Sequence, residues 1–241
     1  MPELPEVETI RRQLAEKIVG KKLDGREITA ARRRAKLLLI DFSDGASLVF
    51  HLKLTGQLIF NAEPGKYTRH VFRFDDGSRL IFNDARKFGW WKKVPSTKNI
   101  EDEFGPEALA VTLPVFRALL AKKKRTKIKA LLMDQKSIAG IGNIYSDEIL
   151  FAAGVRPDRP AGSLIEGEAR KIYLSIKKIL KSAIKHHGSS IKDYLDAFGQ
   201  KGGYVPYHKV YQKEKCLKCG TSIKKVKMGG RTAHYCPQCQ I

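Results

Sequence analysis

The sequence predicts an α+β protein of two domains: an N-terminal helix with an antiparallel β-sandwich, then a helical domain that ends in a four-cysteine zinc finger. Three observations support this prediction. Apolar residues alternate with polar ones between turn signals up to residue 94. Beyond residue 98 they recur at helical spacing, and four cysteines form two Cys-x2-Cys pairs near the end. A chain of 241 residues is long enough for two small cores.

The N-terminal half begins with an amphipathic helix that ends near Gly20. Its apolar residues recur at spacings of three and four, at Val7, Ile10, Leu14 and Ile18. Extended stretches follow, because apolar runs are bounded there by turn residues such as Asp75-Asp76-Gly77. They lie at residues 36–42, 47–60 and 72–82, and at Trp90 and Trp91. Short strands at this spacing indicate a sandwich preceded by one helix.

The second half has helical periodicity. A polar, turn-rich stretch from Pro95 to Pro106 is a plausible hinge before it. Helices are predicted at residues 113–123, 127–134, 146–153 and 166–187. We therefore expect an N-terminal domain at residues 1–98, a helical domain at 99–205 and a zinc finger at 206–241.

The charge balance favours a polyanionic partner. The chain has 46 Lys and Arg against 25 Asp and Glu, which gives a formal net charge of +21. A lysine-rich surface kept for stability would bring matching glutamates, so nucleic acid is the better explanation. No apolar run approaches the ~18 residues of a membrane span, and no signal segment opens the chain. We expect a soluble, intracellular protein.

The cysteines have the spacing of a metal site. Cys216 and Cys219 form one pair, Cys236 and Cys239 form the other, and 16 residues separate the pairs. This spacing suits one tetrahedral Zn²⁺ held by four thiolates. Two disulfides are the alternative, but intracellular thiols stay reduced. Four protein ligands fill the coordination shell, so the zinc is expected to be structural.

The first residues carry a possible nucleophile. A proline after the initiator Met allows removal of Met1, which would leave a secondary amine at Pro2 beside the carboxylate of Glu3. An α-amino group has a pKa near ~8, so a sizeable fraction is neutral and can attack a sugar C1′ as a Schiff-base nucleophile. Glu3 is close enough to move protons. An ordinary helix start is the alternative, and these residues alone favour it.

Two stretches of the helical half suggest phosphate contacts. The densest basic run is Lys122-Lys123-Lys124-Arg125, continued by Lys127 and Lys129, although such runs are often only a solvated helix face. Gly140 and Gly142 precede Asn143 at the start of a predicted helix, where backbone N–H groups bind phosphate well. A plain N-cap role for Asn143 is the alternative, but capping would not need two glycines.

Arg86 and Phe88 suggest a way to replace an everted base. They lie two residues apart in an extended segment, so both side chains can face the same side. An arginine and an aromatic ring beside a duplex can fill the gap that a flipped nucleotide leaves. Packing of Phe88 in the core is the alternative, since most phenylalanines in sheets are buried.

Six motifs in order resemble the formamidopyrimidine-DNA glycosylase family (Fpg or MutM), within the Fpg/endonuclease VIII superfamily. The resemblance runs from Pro2 to Gln240. The motifs are PELPEVET at the N-terminus, Arg33-Arg34-Ala35-Lys36, His51-Leu52-Lys53-Leu54-Thr55-Gly56, Asp84 to Gly89, Gly140 to Tyr145, and Gly230 to Cys239. The resemblance implies a helix–two-turn–helix fold for the helical domain, with DNA bound between the two domains. It also implies a cytoplasmic, bacterial-type protein associated with the nucleoid.

The resemblance also implies residue roles. Pro2 would be the nucleophile, Glu3 the general acid/base, Lys36 the lysine of β-elimination, and Arg231 a finger arginine that binds phosphate and is associated with δ-elimination. Leu54, Arg86 and Phe88 would fill the void in the duplex. Arg125 and Asn143 would contact the DNA backbone.

The chain departs from the family pattern in three places. The segment between the first helix and Lys36 is shorter than usual, so we expect one or two strands to be missing or truncated. Leu54 replaces a common methionine, which keeps an apolar side chain but reduces its flexibility. Thr68 stands where the family often has a histidine that contacts DNA, so the resemblance does not extend to that contact.

The leading hypothesis is a monomeric bifunctional DNA glycosylase/AP lyase that acts on double-stranded DNA with oxidised purines or abasic sites. A close alternative prefers oxidised pyrimidines, and the loop from Gly199 to Tyr211 would set that preference. An alternative that is not an enzyme is a zinc-finger protein that binds damaged or bent DNA without catalysis. Borohydride trapping separates the enzyme hypotheses from the binding protein.

Overall fold

The computed structural model describes all residues from Met1 to Ile241 and divides the chain into two compact units. The first unit comprises residues 1–103 and 183–205, and the second comprises residues 104–182 and 206–241. The sequence pattern placed all of residues 99–205 in the helical domain, whereas 183–205 pack with the N-terminal residues. None of the helices is both long and apolar enough to cross a membrane.

The first unit contains one long helix and two antiparallel sheets. Helix α1 spans Leu4–Ile18 and helix α2 spans Lys98–Glu101. The strands are β1 Lys22–Leu23, β2 Arg26–Arg34, β3 Leu37–Phe42, β4 Ser47–His51, β5 Gly56–Phe60, β6 Thr68–Arg73, β7 Arg79–Asp84 and β8 Trp90–Val94. One sheet has the order β1-β2-β3-β4-β8 and the other β5-β7-β6. The predicted helix and antiparallel β-sandwich are confirmed.

The core of this unit joins the helix to both sheets. The apolar stripe of α1 is fully buried and belongs to one cluster with inward-facing residues of the sheets, among them Leu38, Phe50, Leu58 and Phe82. Phe50 makes edge-to-face contacts with Phe72 and Phe82 of the other sheet. This single cluster explains why the helical and alternating patterns occur together in the N-terminal half.

The stretch from Ser47 to Phe60 is two strands in different sheets. A turn at residues 52–55 separates β4 from β5, with Lys53 in the left-handed region at φ +49° and a hydrogen bond from Gly56 N to Leu52 O at 2.8 Å. A side chain at position 56 would place its Cβ 2.5 Å from Leu52 O, so the turn requires glycine there. This turn, which periodicity did not predict, carries Leu54.

The carboxylate of Glu6 holds residues 183–205 in the first unit. Its Oε1 accepts the backbone N–H of Ser189 at 2.8 Å, and its Oε2 accepts that of Glu3 at 2.7 Å. Gly188 has a φ of +80°, and a Cβ there would lie 2.7 Å from Glu6 Oε1. Gln13 adds a second tie, because its Oε1 accepts the backbone N–H of Ala197 at 2.9 Å.

The second unit is helical and ends in a hairpin. Its helices are α3 Leu113–Lys122, α4 Ile128–Met133, α5 Asn143–Ala153 and the part of α6 (Glu166–Lys185) up to residue 182. Strands β9 Lys224–Met228 and β10 Arg231–Tyr235 pair antiparallel. The four predicted helices are present, and the helix predicted to end at residue 187 stops at Lys185. His187 and Gly188 both have positive φ, which ends an α-helix.

Lys129 does not belong to the exposed basic run. It is only 1% exposed, and its Nζ forms an ion pair with Asp147 Oδ1 at 2.5 Å. Asp147 Oδ2 also accepts the backbone N–H of His234 at 3.0 Å, so the pair links α4, α5 and β10. A buried charge needs such partners. The prediction that Lys129 belongs to the basic run for phosphate contacts is therefore wrong. Lys122, Lys124 and Arg125 of that run are exposed.

Glu148, the next residue of α5, fixes the chain before the cysteines. Its two carboxylate oxygens accept the backbone N–H groups of Lys209, Val210 and Tyr211 at 2.8–3.0 Å. Burial raises the pKa of Glu148 above its usual range, although these three hydrogen bonds oppose the rise. Adjacent carboxylates on one helix therefore attach two separate parts of the C-terminal segment.

Replacing Lys129 by methionine should strongly destabilise the second unit. The substitution keeps most of the side-chain volume but leaves Asp147 buried without its cation, and breaking such a pair lowers the free energy of unfolding by about 3–5 kcal/mol. Urea denaturation followed by the amide exchange of α4 and α5 measures the loss. Lys127→Met at an exposed neighbouring position is the control and should change stability by less than about 0.5 kcal/mol.

Candidate active site and nucleic-acid interface

The N-terminal residues both begin helix α1 and form the candidate active site. Glu3 is the N-cap with extended backbone angles of φ −108° and ψ −169°, and it exchanges capping hydrogen bonds with Glu6. Pro2 and Glu3 are buried, and Glu3 is only 2% exposed. The helix-start interpretation is confirmed, and the proposed chemical role concerns the same buried residues.

Charged groups surround the N-terminal amine. Burial lowers the pKa of the Met1 amino group below its ordinary 8.0, while Glu3, Glu6 and Asp193 oppose this shift and Lys36 adds to it. These side chains are thus near enough to influence the amine electrostatically. Removal of Met1 would transfer the amine to Pro2. Burial makes the amine easier to keep neutral and therefore able to attack an electrophile, and a carboxylate beside it can accept and return a proton.

Lys36 is held at the turn between β2 and β3. It is buried and follows Ala35, which has a φ of +53°. Arg33 stabilises this turn, because its Nη1 donates to Ala35 O at 2.8 Å and its Nε pairs with Glu8 of α1 at 3.2 Å. Because Lys36 and Glu3 both act electrostatically on the N-terminal amine, Lys36 lies in the neighbourhood of the N-terminus in the first unit.

His51 belongs to the surroundings of this cluster, although the sequence marked it only as part of a motif. Its Nδ1 accepts the backbone N–H of Lys53 at 3.0 Å. Burial lowers the pKa of His51 to about 4, and Lys53 and Lys36 add to the effect. His51 is thus a neutral acceptor at neutral pH. The sequence feature that could have identified His51 is a histidine at the end of a predicted strand, two residues before a lysine.

The three candidate void-filling residues lie on two loops of the first unit. Phe88 is 53% exposed, so its packing in the core is excluded. The Arg86 guanidinium lies 5.0 Å from the centre of the Phe88 ring, as in a cation–π pair. Leu54 is half-buried in the turn at residues 52–55. An exposed aromatic ring beneath an arginine suits stacking against bases.

Asn143 begins helix α5 but does not cap it. The N-cap is Gly142, and the buried Oδ1 of Asn143 lacks a hydrogen-bond partner. Gly140 has a φ of +104° and donates its N–H to Gln135 Oε1 at 2.9 Å. Gln135, which the sequence did not indicate, also donates to Ile141 O at 2.8 Å and so shapes the turn. The arrangement favours ligand binding over capping.

Arg125 and Arg231 are exposed in the second unit. Arg231 starts β10 directly after Gly229 and Gly230, whose φ values of +52° and +75° form a two-residue hairpin turn. Three lysines on the facing strand are also exposed, at Lys224, Lys225 and Lys227. The hairpin is therefore a basic finger suited to phosphate groups.

The four cysteine sulfurs converge on one point. All Sγ atoms lie within 4.8 Å of one another, with 3.9 Å between Cys216 and Cys239 and 3.4 Å between Cys219 and Cys236. Metal–sulfur bonds of about 2.3 Å in a tetrahedron place the sulfurs about 3.8 Å apart, so the cluster fits a metal ion. The cysteines form no disulfides. The site has no open ligand position and is structural.

Family models match three stretches of the chain. The formamidopyrimidine-DNA glycosylase N-terminal domain matches residues 20–91, and the H2TH domain of the same enzymes matches residues 104–194. A zinc finger found in FPG and IleRS matches residues 213–241. The matches follow the order of the sandwich, the helices and the cysteine hairpin.

Relatives resemble the chain over its whole length. A formamidopyrimidine-DNA glycosylase of Carboxydothermus hydrogenoformans is 41% identical over 271 aligned positions, covering 100% of both chains. The alignment exceeds the 241 residues of this chain, so the relative has residues without a counterpart here. The MutM (Fpg) protein of Thermus thermophilus superimposes with a TM-score of 0.91 at 38% identity, over 99% of this chain and 98% of its own.

The Fpg of Lactococcus lactis is similar to the chain in complexes with DNA. Its complex with DNA that contains an abasic site gives a TM-score of 0.90 at 35% identity over 99% of both chains. Its complex with DNA that contains FAPY-dG gives a TM-score of 0.89 at 35% identity, again over 99% of both chains.

The burial of His51 predicts a pH dependence of stability. Its pKa is about 4 in the folded protein, against about 6.5 in an unfolded chain. The unfolded state binds the proton first, so stability is full above about pH 6.5 and falls towards pH 4, by at most about 1.4 kcal/mol per pH unit. Urea unfolding of the wild type and His51→Asn measures this. Asparagine can still accept the Lys53 N–H but does not titrate, so an unchanged pH dependence would contradict the assignment.

Removal of the metal should unfold the basic finger selectively. Structural metal binding to such small hairpins supplies about 10–16 kcal/mol of apparent binding free energy, which the hairpin alone cannot replace. A chelator should therefore abolish amide protection in β9 and β10, and added metal should restore it. Strands β2–β4 of the first unit are the internal control and should keep their protection. Persistent protection of β10 without metal would refute a metal-dependent fold.

Proposed function

The chain belongs to the formamidopyrimidine-DNA glycosylase family, and from this premise we propose that it is a bifunctional DNA glycosylase/AP lyase of base excision repair. Its substrates are oxidised purines such as 8-oxoguanine and formamidopyrimidines in duplex DNA. The observation that carries the proposal is the buried cluster of N-terminal amine, Glu3 and Lys36. An amine that attacks the sugar carbon releases the base and retains the sugar covalently, which a hydrolytic site would not do.

The first step is base release at C1′. After removal of Met1, the nitrogen lone pair of Pro2 forms a bond to C1′ as the bond between C1′ and the damaged base breaks. The departing base takes a proton from Glu3, which acts as the general acid beside the amine. Glu3 then takes the N–H proton of the attached Pro2 nitrogen and passes it to O4′ as the C1′–O4′ bond breaks. This opens the sugar and leaves a positively charged Schiff base (an iminium) on Pro2.

The second step is strand cleavage by elimination. The positive Schiff base acidifies the C2′ proton, and removal of that proton expels the 3′ phosphate in β-elimination. A further elimination expels the 5′ phosphate, and hydrolysis then frees Pro2. Lys36 adds positive charge beside the reacting sugar and binds an adjacent phosphate. Arg231 does the same from the finger and supports δ-elimination.

DNA binding combines phosphate contacts with replacement of the everted base. Arg125, Asn143 and Arg231 bind phosphate groups, which fix the duplex without reading its sequence. Leu54, Arg86 and Phe88 occupy the space left in the stack. The net charge of +21 supports a salt-dependent affinity for DNA. The protein acts as a monomer in this proposal.

The metal in the finger is proposed to be one Zn²⁺. Four thiolates are the ligand set that zinc prefers in structural sites. When bound, the ion holds the finger that carries Arg231 in shape and takes no part in proton or electron transfer. The chemistry is thus left to Pro2 and Glu3.

Borohydride trapping on duplexes with 8-oxoguanine or an abasic site tests the proposal. The wild type should give a covalent adduct, and Pro2→Gly should lower its yield at least about ten-fold because glycine lacks the constrained secondary amine. Pro64→Gly in an exposed loop is the matched control. N-terminal sequencing should show Pro2 as the first residue. Tight DNA binding without adduct or cleavage would overturn the enzyme assignment, and parallel duplexes with thymine glycol and dihydrouracil test the purine preference.

Glu3→Gln separates proton transfer from nucleophilic attack. The variant keeps the amine and the helix cap but loses the proton donor, so excision of 8-oxoguanine should slow by about 10²–10⁴-fold. Trapping at a preformed abasic site should fall much less, because no base has to be protonated there. Single-turnover rates on both substrates measure the difference. If Glu3→Gln excised 8-oxoguanine at the wild-type rate, Glu3 would have no role as proton donor.

A further inference from the structure

The carboxylate of Asp84 lies between the two loops that carry the void-filling side chains. Asp84 ends β7 and is 0% exposed. On one side is the turn at residues 52–55, which carries Leu54, and on the other is the loop at residues 85–89, which carries Arg86 and Phe88. Asp84 pairs with Gly56 across the β5–β7 register, so it stands where both loops leave the sheet.

Hydrogen bonds join this carboxylate to both loops. Its Oδ1 accepts the hydroxyl of Thr55, the neighbour of Leu54, and also the backbone N–H of Arg86 at 3.1 Å. Its Oδ2 accepts the backbone N–H of Gly89, the neighbour of Phe88, at 2.6 Å. The Thr55 hydroxyl oxygen in turn lies 3.1 Å from the Arg86 N–H, so the two loops share one network.

The fit around Asp84 is close. A Cβ at Gly89 would lie 3.0 Å from Asp84 Oδ2 and 3.0 Å from Phe82 Cζ, so only glycine lets the loop approach the carboxylate this closely. Arg69 Nε donates to the backbone oxygen of Asp84 at 2.8 Å and fixes the end of the strand. A buried carboxylate is tolerated only with several donors, and here the donors come from the loops themselves.

The backbone of both loops is held by hydrogen bonds beneath exposed side chains. The backbone of the second loop is held at Arg86 and Gly89, and that of the first loop at Thr55, while the side chains of Arg86 and Phe88 remain exposed. Because the backbone of each loop is held in place by hydrogen bonds, the positions that its side chains can reach are limited. In the proposed function three side chains must enter one gap in a duplex. A common support that holds them in the required arrangement before DNA binds makes this entry more favourable.

We propose that Asp84 is a positioning residue that holds Leu54, Arg86 and Phe88 in one arrangement, so that they enter the duplex together when a damaged base is everted. This inference rests on the proposed function. Eversion of a stacked base requires the void to be filled, whereas an abasic site has no base to replace. The Asp84 clamp, defined as Asp84 with Thr55 and the N–H groups of Arg86 and Gly89, therefore controls base excision more than strand cleavage at abasic sites.

Two substitutions release the two sides of the clamp separately. Asp84→Asn keeps one acceptor oxygen but places an NH2 group where the Gly89 N–H must be accepted, so it frees the Phe88 end. Thr55→Val is nearly isosteric and removes only the hydroxyl that joins the turn of Leu54. Thr55→Ser restores that hydroxyl and is the matched control.

Single-turnover kinetics on two substrates test the proposal. Asp84→Asn and Thr55→Val should slow excision of 8-oxoguanine by about 10-fold to 100-fold, since small misplacements have effects of this size. Cleavage at a preformed abasic site should stay within about three-fold of the wild type in the same preparations. Thr55→Ser should excise within about two-fold of the wild type. A 2-aminopurine next to the lesion should show less unstacking with the two slow variants.

Equal losses on both substrates would overturn the proposal, because they indicate general damage to the fold. Unchanged excision in Asp84→Asn would overturn it as well, and so would a Thr55→Ser variant as slow as Thr55→Val. Amide exchange of the DNA-free protein tests the clamp without activity: Asp84→Asn should expose the Gly89 N–H and leave β7 protected, and retained Gly89 protection would contradict the clamp. A wild type that cleaves neither substrate would overturn the proposed function instead, and the exchange result would then decide the clamp alone.

Discussion

A few buried carboxylates hold the functional segments of this protein in place by accepting backbone N–H groups. A charged oxygen without donors would be strongly unfavourable in the interior, so each carboxylate fixes the chain segments that supply its donors. Glu6 fixes the N-terminus and residues 183–205, and Glu148 fixes the chain before the cysteines. Asp84 fixes the two loops with exposed side chains. Because backbone donors cannot be moved by side-chain rotation, the segments are placed accurately.

This use of acidic residues also shapes the outside of the protein. Glu3, Glu6, Asp84, Asp147 and Glu148 are buried, whereas most lysines and arginines are on the surface. The excess of 46 basic over 25 acidic residues therefore understates the positive character of the exposed face. A field of this kind draws in a polyanion over several ångströms and is weakened by salt. The buried carboxylates thus hold chain segments inside the protein, and their absence from the surface makes that surface more positive.

Local patterns predicted the elements but not their distant partners. The stripe of α1, the strands and the cysteine spacing were readable because burial imposes a period on neighbouring residues. Lys129 lies within a charge run, and no neighbouring residue in the sequence distinguishes it from the exposed lysines. It is buried because it pairs with Asp147, which lies 18 positions further along the chain. The return of residues 183–205 depends likewise on Glu6, 183 positions from Ser189. Pro2, Glu3 and Lys36 were found as motif residues, but Gln135 and the structural importance of Asp84 were not.

The packing of residues 183–205 against the N-terminal residues suits the chemistry proposed for the N-terminus. Chain ends are usually mobile, and local structure alone cannot bury a terminus. A terminal amine that must meet one sugar carbon needs a fixed position and a lowered pKa, and both require cover from elsewhere in the chain. Glu6 supplies the link, since one oxygen binds the backbone of Glu3 and the other that of Ser189. The helix start at residues 2–6 is therefore both a cap and an anchor, and in the mechanism that we propose this anchoring allows the amine to act as the nucleophile.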